Sequence, residues 1–262
     1  MNFGIVFKED NEKAIKLSEK ISDYLKSRNH KVADSENLKG SDFILSIGGD
    51  GTLIHKACEY SELGIPLIGI NVGSLGFLTA IEGENWKEAI EKLEKEKVFV
   101  SERIMLSAKV GNREFKAVNE VVVKGLYRVV SLNVEVDEEN LAKVTGDGVI
   151  VATQTGSTAY SLSSGGPIID PDLDAILITP INPIGLPVPS IVVSPDNELK
   201  VKVEAGDDVS LIIDGQEHTK LSEGEEIFLT KGKRRIKFAY FDKHHFLKSL
   251  NAKFGLTGRF KT

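Results

Sequence analysis

The sequence has a single cysteine, Cys58, among its 262 residues, together with one tryptophan and two methionines. One thiol excludes an intramolecular disulfide and also excludes a zinc cluster built from cysteines. The residues directly beside Cys58, Ala57 and Glu59, are not of a kind that stabilises a thiolate. We therefore predict that Cys58 is a small packed side chain and not a nucleophile.

Long apolar runs and an excess of positive charge are lacking as well. No apolar run approaches the roughly 20 residues that a membrane-spanning helix needs. The formal net charge is −6, whereas nucleic-acid binding depends on clustered Lys and Arg. Residues 1–10 lack the basic flank and the cleavage site of a signal peptide. We expect a cytoplasmic protein that binds neither membranes nor nucleic acids.

Apolar runs alternate with helical patterns over roughly the first hundred residues. Residues 1–7, 42–47 and 66–70 have the length and composition of buried strands. The patterns that follow them predict three helices. The first ends near Arg28, and the other two cover residues 52–60 and 84–95. Strands that alternate with helices are typical of βαβ units. Residues 1–97 are therefore predicted to form a Rossmann-like α/β domain with a parallel sheet.

From about position 98, β-branched residues dominate and turn residues separate short runs. This pattern predicts an all-β domain over residues 98–240, a sandwich of packed sheets. The predicted strands are 118–123, 129–136, 148–153, 176–179, 191–193, 199–203, 209–213 and 235–240. Residues 158–164 are predicted to form a short helix. The tail, residues 241–262, is expected to be partly helical and to return to the first domain.

A glycine-rich turn, GGDGT at residues 48–52, lies between a predicted strand and a predicted helix. Glycine permits positive φ and close approach of a ligand, and a helix N-terminus favours phosphate. Asp50 could accept a proton from an attacking hydroxyl or organise a magnesium ion. A plain β-turn is the alternative. The predicted phosphate-binding residues of this turn are Gly48, Gly49, Gly51 and Thr52.

Two further segments have polar residues within a predicted strand or next to one. Asn119 and Glu120 interrupt an apolar strand, and period-two alternation would turn one of them inward, which is costly without a partner. An edge strand with surface polar residues is the alternative. Asp147 opens the other segment, a strand followed by a run rich in hydroxyls and glycine, TGSTAYSLSSGGP at residues 155–167. Such a junction can bind sugar hydroxyls and phosphate, and Tyr160 offers a flat face to a base.

Together these segments resemble the NAD kinase family. The resemblance covers most of the chain and includes NVGSLGFL at 71–78, Glu102-Arg103 and Asp214-Gly215-Gln216. Lipid kinases and phosphofructokinases share the GGDGT turn, so that turn alone is moderately specific. The combination with Asn119-Glu120 and the 155–167 run is highly specific.

The resemblance implies transfer of a phosphate from ATP, or from polyphosphate, to the 2′-hydroxyl of the adenosine ribose of NAD, which gives NADP. Asp50 matches the family's proton acceptor, and the active site is expected between the two domains. A divalent metal such as Mg²⁺ is expected to accompany the phosphate donor, and a homodimer or homotetramer is expected. The residues that match substrate-binding positions are Asp50, Gly51, His55, Asn119, Glu120, Arg128, Asp147, Thr158, Ala159, Tyr160, Ser161, Leu162, Ser163 and Gln216.

The sequence departs from the family pattern at three places. Thr145 stands where an Arg is common, Gln154 stands where many members have Pro, and residues 182–186 (NPIGL) replace a CPHTL segment. These departures bear on the choice of donor and on fine substrate contacts. They do not affect the Asp50 turn.

Two other functions remain open at this point. A lipid kinase of the diacylglycerol or sphingosine type would share the GGDGT turn but lack Asn119-Glu120 and the long hydroxyl-rich run. A non-catalytic sensor of NAD or NADP would bind without phosphate transfer, and the presence of Asp50 speaks against it. We predict no protein metal site, because His244 and His245 are adjacent on one element and no carboxylate spacing completes a set of ligands.

Overall fold

The computed structural model describes residues 1–73, 76–95, 98–185 and 188–256, without the side chains of residues 217 and 218. The chain divides into two compact units, Met1–Glu102 with Ile236–Thr262, and Arg103–Arg235. The sequence-based division put the boundaries after residues 97 and 240. No helix among the described residues is long and apolar enough to cross a membrane.

The first unit is built on a parallel sheet. Its strands are β1 (Asn2–Phe7), β2 (Lys31–Ala33), β3 (Phe43–Gly48), β4 (Leu67–Asn71) and β5 (Ile81–Glu82). Their order is β5-β4-β3-β1-β2, and every one of these pairings is parallel. β1, β3 and β4 are short apolar runs buried along most of their length, as expected when helices cover a parallel sheet, whereas β2 and β5 are less buried. The predicted α/β domain is confirmed.

The helices of the described residues are α1 (Glu12–Ser27), α2 (Asp50–Glu59), α3 (Trp86–Lys95), α4 (Tyr160–Ser163) and α5 (His245–Phe254). In α1, the side chain of Asn11 accepts hydrogen bonds from the amides of Lys13 and Ala14, at 3.0 and 3.1 Å. This is the N-cap that the sequence predicts. Helix α5 belongs to the first unit.

The second unit contains antiparallel strands in two sheets. Its strands are β6 (Phe99–Val110), β7 (Arg113–Ala117), β8 (Glu120–Gly125), β9 (Val130–Val136), β10 (Glu139–Gly146), β11 (Gly148–Thr153), β12 (Ile176–Ile181), β13 (Ile191–Val193), β14 (Leu199–Ala205), β15 (Val209–Ile213), β16 (Gln216–Leu221) and β17 (Glu226–Tyr240). One sheet has the order β13-β12-β11-β8-β15-β16. The other contains β10-β9-β14-β17, with β6 between β17 and β7. β6 begins and β17 ends in the first unit.

Alternation along β8 places its side chains on two different faces. Val121 and Val123 belong to the large apolar core that both sheets of the second unit form. Val122 lies on the opposite face, in a smaller cluster with Ile150 and Leu177. Because period two also puts Glu120 on the face of Val122, its carboxyl lies outside the main core. This smaller cluster is therefore next to the polar residues that the sequence singles out.

Candidate active site

The GGDGT turn joins β3 directly to α2. Gly49 is the N-cap residue, with φ −106° and ψ −172°, and Asp50 is the first residue of the helix. None of the three glycines has positive φ, so the turn does not depend on the left-handed conformation that glycine permits. A Cβ at Gly48 would overlap Thr52, whereas a Cβ at Gly49 or Gly51 would meet nothing within 4 Å. Space beside the helix N-terminus is thus kept open.

The carboxylate of Asp50 is held by the loop that follows β4. Its Oδ2 accepts a hydrogen bond from the Phe77 amide at 2.5 Å. Its Oδ1 accepts from the amides of Leu78 and Thr79, at 3.2 and 3.0 Å. Three backbone donors therefore fix the position and rotation of one carboxylate. Charge-assisted bonds of this kind are about twice as strong as neutral ones.

These contacts have two consequences for the site. A carboxylate has about four lone-pair positions, so three amides leave one position, on Oδ2, for a ligand. The loop approaches so closely that a Cβ at Gly76 would overlap the Asp50 carboxylate. Neither the three amides nor the requirement at Gly76 was predicted from the sequence. Gly76, the second glycine of NVGSLGFL, was the only available signal for a close approach.

In the second unit, Asp214 holds the segment that contains Asn119 and Glu120. Its carboxylate accepts hydrogen bonds from the amides of Val118, Asn119 and Glu120, at 2.8, 2.8 and 3.0 Å. Asp214 and Gly215 form the two-residue turn between β15 and β16, and both have positive φ, 46° and 81°. An Asp-Gly pair with this geometry is a common hairpin turn. The turn thus directs the Asp214 carboxylate towards the start of β8.

Both members of the Asn119-Glu120 pair are buried, and each has an unused acceptor. Asn119 Oδ1 and Glu120 Oε2 have no hydrogen-bond partner within the described structure. Burial, together with the smaller effect of the negative charge of Asp214, raises the pKa of the Glu120 carboxyl to about 8. Buried polar atoms without partners are rare, and ligand atoms commonly satisfy them. The alternation predicts one inward polar residue, whereas both are buried, and each has an acceptor that a ligand could satisfy.

The loop after β11 packs against this pair. Thr153 Oγ1 donates to the Val118 carbonyl at 2.6 Å and accepts from the amides of Thr155 and Gly156, at 3.1 and 3.2 Å. A Cβ at Gly156 would overlap the backbone of Asn119. Gln154 Oε1 and Thr155 Oγ1 are two more buried acceptors without partners among the described atoms. The loop that packs against Asn119 and Glu120 thus contributes two more polar atoms that a ligand could satisfy.

The predicted contacts in α4 and just before it differ in exposure. Tyr160 and Ser163 are exposed, and Thr158, Ala159 and Leu162 are half-buried. Ser161 is fully buried, and its hydroxyl is hydrogen-bonded to Thr179 Oγ1 at 2.9 Å. The Ser161 side chain therefore fixes the segment to β12. Its role as a substrate contact stays a prediction, as do the roles of its neighbours.

The remaining predicted contacts lie at the surface or at its edge. Asp147 accepts a hydrogen bond from Asn182 Nδ2 at 2.8 Å. Arg128 is exposed and pairs with Asp207 at 3.4 Å. His55 is exposed on α2, with Nδ1 3.7 Å from a Glu59 oxygen. Gln216 is exposed at the first position of β16. The last three are not held in place by buried contacts, and all four assignments stay predictions.

The departures from the family pattern have local partners in the structure. The carbonyl of Thr145 accepts a hydrogen bond from the Ile184 amide at 2.7 Å. Gln154 is buried, and its Nε2 lies 3.4 Å from Asp174 Oδ1. Residues 186 and 187 lie outside the described residues. The replaced segment thus stays joined to the end of β10, next to Asp147.

Comparison with known proteins agrees with the arrangement in both units. Residues 28–98 match the family model for the ATP-NAD kinase N-terminal domain, and residues 118–241 match that for the C-terminal domain. An NAD kinase of Fusobacterium nucleatum is 35% identical over 258 residues, which is 97% of each chain. An NAD kinase of Methanothermobacter thermautotrophicus is 32% identical and covers 95% of this chain and 94% of its own.

Two solved structures resemble the chain. An Archaeoglobus fulgidus NAD kinase in complex with ATP has a TM-score of 0.75 and 29% identity, covering 95% of this chain and 96% of that one. Yeast NADH kinase complexed with NADH has a TM-score of 0.85, covers 100% and 89%, and at 21% identity shows the fold alone. The family models together with the relatives above 30% identity over nearly the whole length lead to one conclusion. The chain belongs to the NAD kinase family.

Proposed function

We propose that this member of the NAD kinase family transfers the terminal phosphate of ATP, or of polyphosphate, to the 2′-hydroxyl of the adenosine ribose of NAD. The product is NADP, and Asp50 accepts the proton of the attacking hydroxyl. The observation that carries the proposal is the Asp50 carboxylate, which three amides hold with one acceptor position left on Oδ2. A fixed carboxylate within reach of a hydroxyl is what general-base catalysis requires.

The donor phosphates are proposed to lie at the N-terminus of α2. Gly49 and Gly51 leave open space there, and the first amides of a helix with their dipole favour anions. The catalytic gain in phosphoryl transfer comes mostly from positioning and charge stabilisation. The Thr52 side chain packs against Gly48 in the first turn of the helix. These residues would therefore place the terminal phosphate rather than take part in bond making.

NAD is proposed to satisfy the buried acceptors of the second unit. Asn119 Oδ1, Glu120 Oε2 and Thr155 Oγ1 lack partners among the described atoms, and ribose hydroxyls are donors that fit them. A protonated Glu120 can also donate, because its pKa of about 8 keeps the carboxyl largely neutral near pH 7. The exposed ring of Tyr160 offers a stacking face to a base.

Magnesium is proposed to arrive with the phosphate donor. Among the described residues, no group of three or more His, Cys, Asp or Glu side chains could hold a metal ion. The ribose hydroxyl is proposed to take the one free position on Asp50, so the ion would be held mainly by phosphate oxygens, as Mg²⁺ often is. When bound, the ion would neutralise phosphate charge during transfer. The negative charge of Asp50 is the feature of this chain that would favour the ion beside the phosphates.

The rival functions are less well supported. The relatives that match nearly the whole chain are NAD kinases, which speaks against a lipid kinase. A sensor without activity would have no need for a carboxylate fixed by three amides. A cytoplasmic location, a homodimer or homotetramer, and an active site between the units stay predictions.

The experiment that tests the proposal is a donor panel with product identification. The protein is incubated with Mg²⁺ and NAD, and with ATP, other nucleoside triphosphates or polyphosphate. We expect NADP with ATP or polyphosphate, with the new phosphate on the adenosine 2′-oxygen. Parallel incubations contain diacylglycerol or sphingosine in place of NAD. Phosphorylated lipid without NADP would support the lipid kinase, and binding of NAD without any transfer would support the sensor.

A further inference from the structure

Helix α5 makes contact with the loop that holds Asp50. Nε2 of His245 lies 3.2 Å from the Phe77 carbonyl oxygen. A carbonyl oxygen only accepts, so Nε2 must carry the hydrogen. The Phe77 carbonyl and the Leu78 amide belong to the same peptide group. That amide donates to Asp50 Oδ1, so one planar peptide group connects His245 to Asp50.

His245 is itself held on two sides. Its ring stacks on Tyr240, with ring centroids 4.4 Å apart and an interplanar angle of 18°. Ser249 Oγ, one helical turn further on, lies 3.4 Å from the same Nε2. The imidazole is therefore not free to turn, and it fixes the direction of the Phe77 carbonyl.

The other end of α5 contacts the side chain of Phe77. Lys253 Nζ lies 4.4 Å from the centroid of the Phe77 ring, and the Phe254 ring centroid lies 6.1 Å away. Phe77 thus meets the first and the last turn of the helix. A helix that contacts a residue at two points resists rotation of that residue's backbone.

We propose that His245 is a positioning residue for phosphate transfer, which acts by keeping the Phe77–Leu78 peptide group turned towards Asp50. The inference rests on the proposed role of Asp50. With the imidazole absent, the carbonyl loses its donor and the peptide group can rotate. The Asp50 carboxylate then loses the Leu78 donor, which leaves its orientation to the Phe77 and Thr79 amides alone, while the NAD-binding residues of the second unit are unchanged.

The first test measures kcat and KM in His245→Ala. Displacement of a reacting group by about 1 Å can cost roughly a hundredfold in rate, so we expect kcat to fall roughly ten- to a hundredfold. KM for NAD should stay within about twofold. His244→Ala is the matched control, because His244 is adjacent, exposed and outside these contacts. An unchanged kcat in His245→Ala would overturn the proposal.

The second test restores the donor. His245→Gln carries an amide N–H₂ that can reach the carbonyl, so its kcat should recover most of the loss. A cavity of about 370 Å³ is lined by His245, Thr79 and Phe241, so free imidazole should enter His245→Ala and raise its kcat. Thermal unfolding of each variant monitors the fold. If neither Gln nor imidazole raises kcat while the variants stay folded, the hydrogen bond from position 245 to the Phe77 carbonyl does not support kcat, and the proposal is overturned.

A double-variant cycle separates this inference from the role of Asp50. If His245 acts through Asp50, His245→Ala should lower kcat strongly in the native background and by less than about threefold in an Asp50→Asn background. Equal losses in both backgrounds would overturn the positioning role and leave Asp50 untouched. Full activity of Asp50→Asn alone would instead overturn the proposed role of Asp50 as proton acceptor.

Discussion

At the scale of single residues, Gly76 determines whether the loop can reach Asp50. Any side chain at position 76 would overlap the carboxylate. The Gly76→Ala variant must therefore shift the loop, the carboxylate or both. Because misplacement of about 1 Å can cost up to a hundredfold, we expect kcat to fall at least tenfold, which steady-state assays of NADP formation would measure.

The matched control for this variant is Gly73→Ala in the same loop. A Cβ there would meet only Asn71 Oδ1, at 3.8 Å, which is an ordinary contact. Its kcat should stay within about threefold of the native value. Equal activity of the two variants would mean that close packing on Asp50 has no catalytic consequence.

At the scale of elements, the β15–β16 hairpin is expected to support NAD binding through Asp214. Asp214→Asn puts an N–H₂ group against backbone donors that a carboxylate now satisfies. A buried donor left unsatisfied costs about 1–3 kcal/mol, so NAD should bind roughly five- to a hundredfold more weakly. Titration of NAD followed by calorimetry measures the change.

Asp208→Asn is the control for the same hairpin. Asp208 pairs with Lys220 in a solvent-exposed contact at 3.2 Å, and exposed pairs contribute about 0–1 kcal/mol. Its affinity for NAD should stay close to that of the native protein. A loss of affinity as large as that in Asp214→Asn would show that any charge change in the hairpin weakens binding.

The sequence predicts some elements to the residue and others only in part. The apolar runs of β11 and β15 are bounded by turn residues, and both were predicted with their observed bounds. β6 was missed as a strand because Ser101, Glu102 and Arg103 interrupt its apolar pattern. The helix after the GGDGT turn begins at Asp50 and not at Thr52, because propensity alone does not locate a cap.

The candidate site shows the same division between local and distant signals. Asp50, Asn119 and Glu120 were found because their types and neighbours are unusual within short segments. The contact of Asp50 with the Phe77 amide spans 27 positions, and that of Asp214 with Val118 spans 96. Neither can be inferred from periodicity, because tertiary packing alone brings these segments together.

At the scale of the whole molecule, Glu120 should make the stability of the unliganded protein depend on pH. The pKa of its carboxyl rises from an ordinary 4.5 to about 8 in the folded chain. Between these values the folded chain binds a proton that the unfolded chain has released, so stability falls as the pH rises. The contribution is complete below about pH 4 and lost above about pH 8, and amounts to on the order of 3–5 kcal/mol.

Urea unfolding at about pH 5 and about pH 8 measures this dependence. Glu120→Gln keeps the shape and removes the titrating group. The free energy of unfolding should fall less between the two pH values in the variant than in the native protein. Identical pH dependence in the two proteins would contradict burial of a protonated Glu120.

The central claim is that the Asp50 carboxylate takes the proton of the ribose hydroxyl, and Asp50→Asn tests it most directly. The measurement is kcat for NADP formation at saturating ATP and NAD, with NAD binding measured separately. A positioned general base contributes about 10²–10⁴-fold, so kcat should fall by at least a hundredfold while NAD still binds. A kcat within about threefold of the native value, with NAD bound, would contradict the claim.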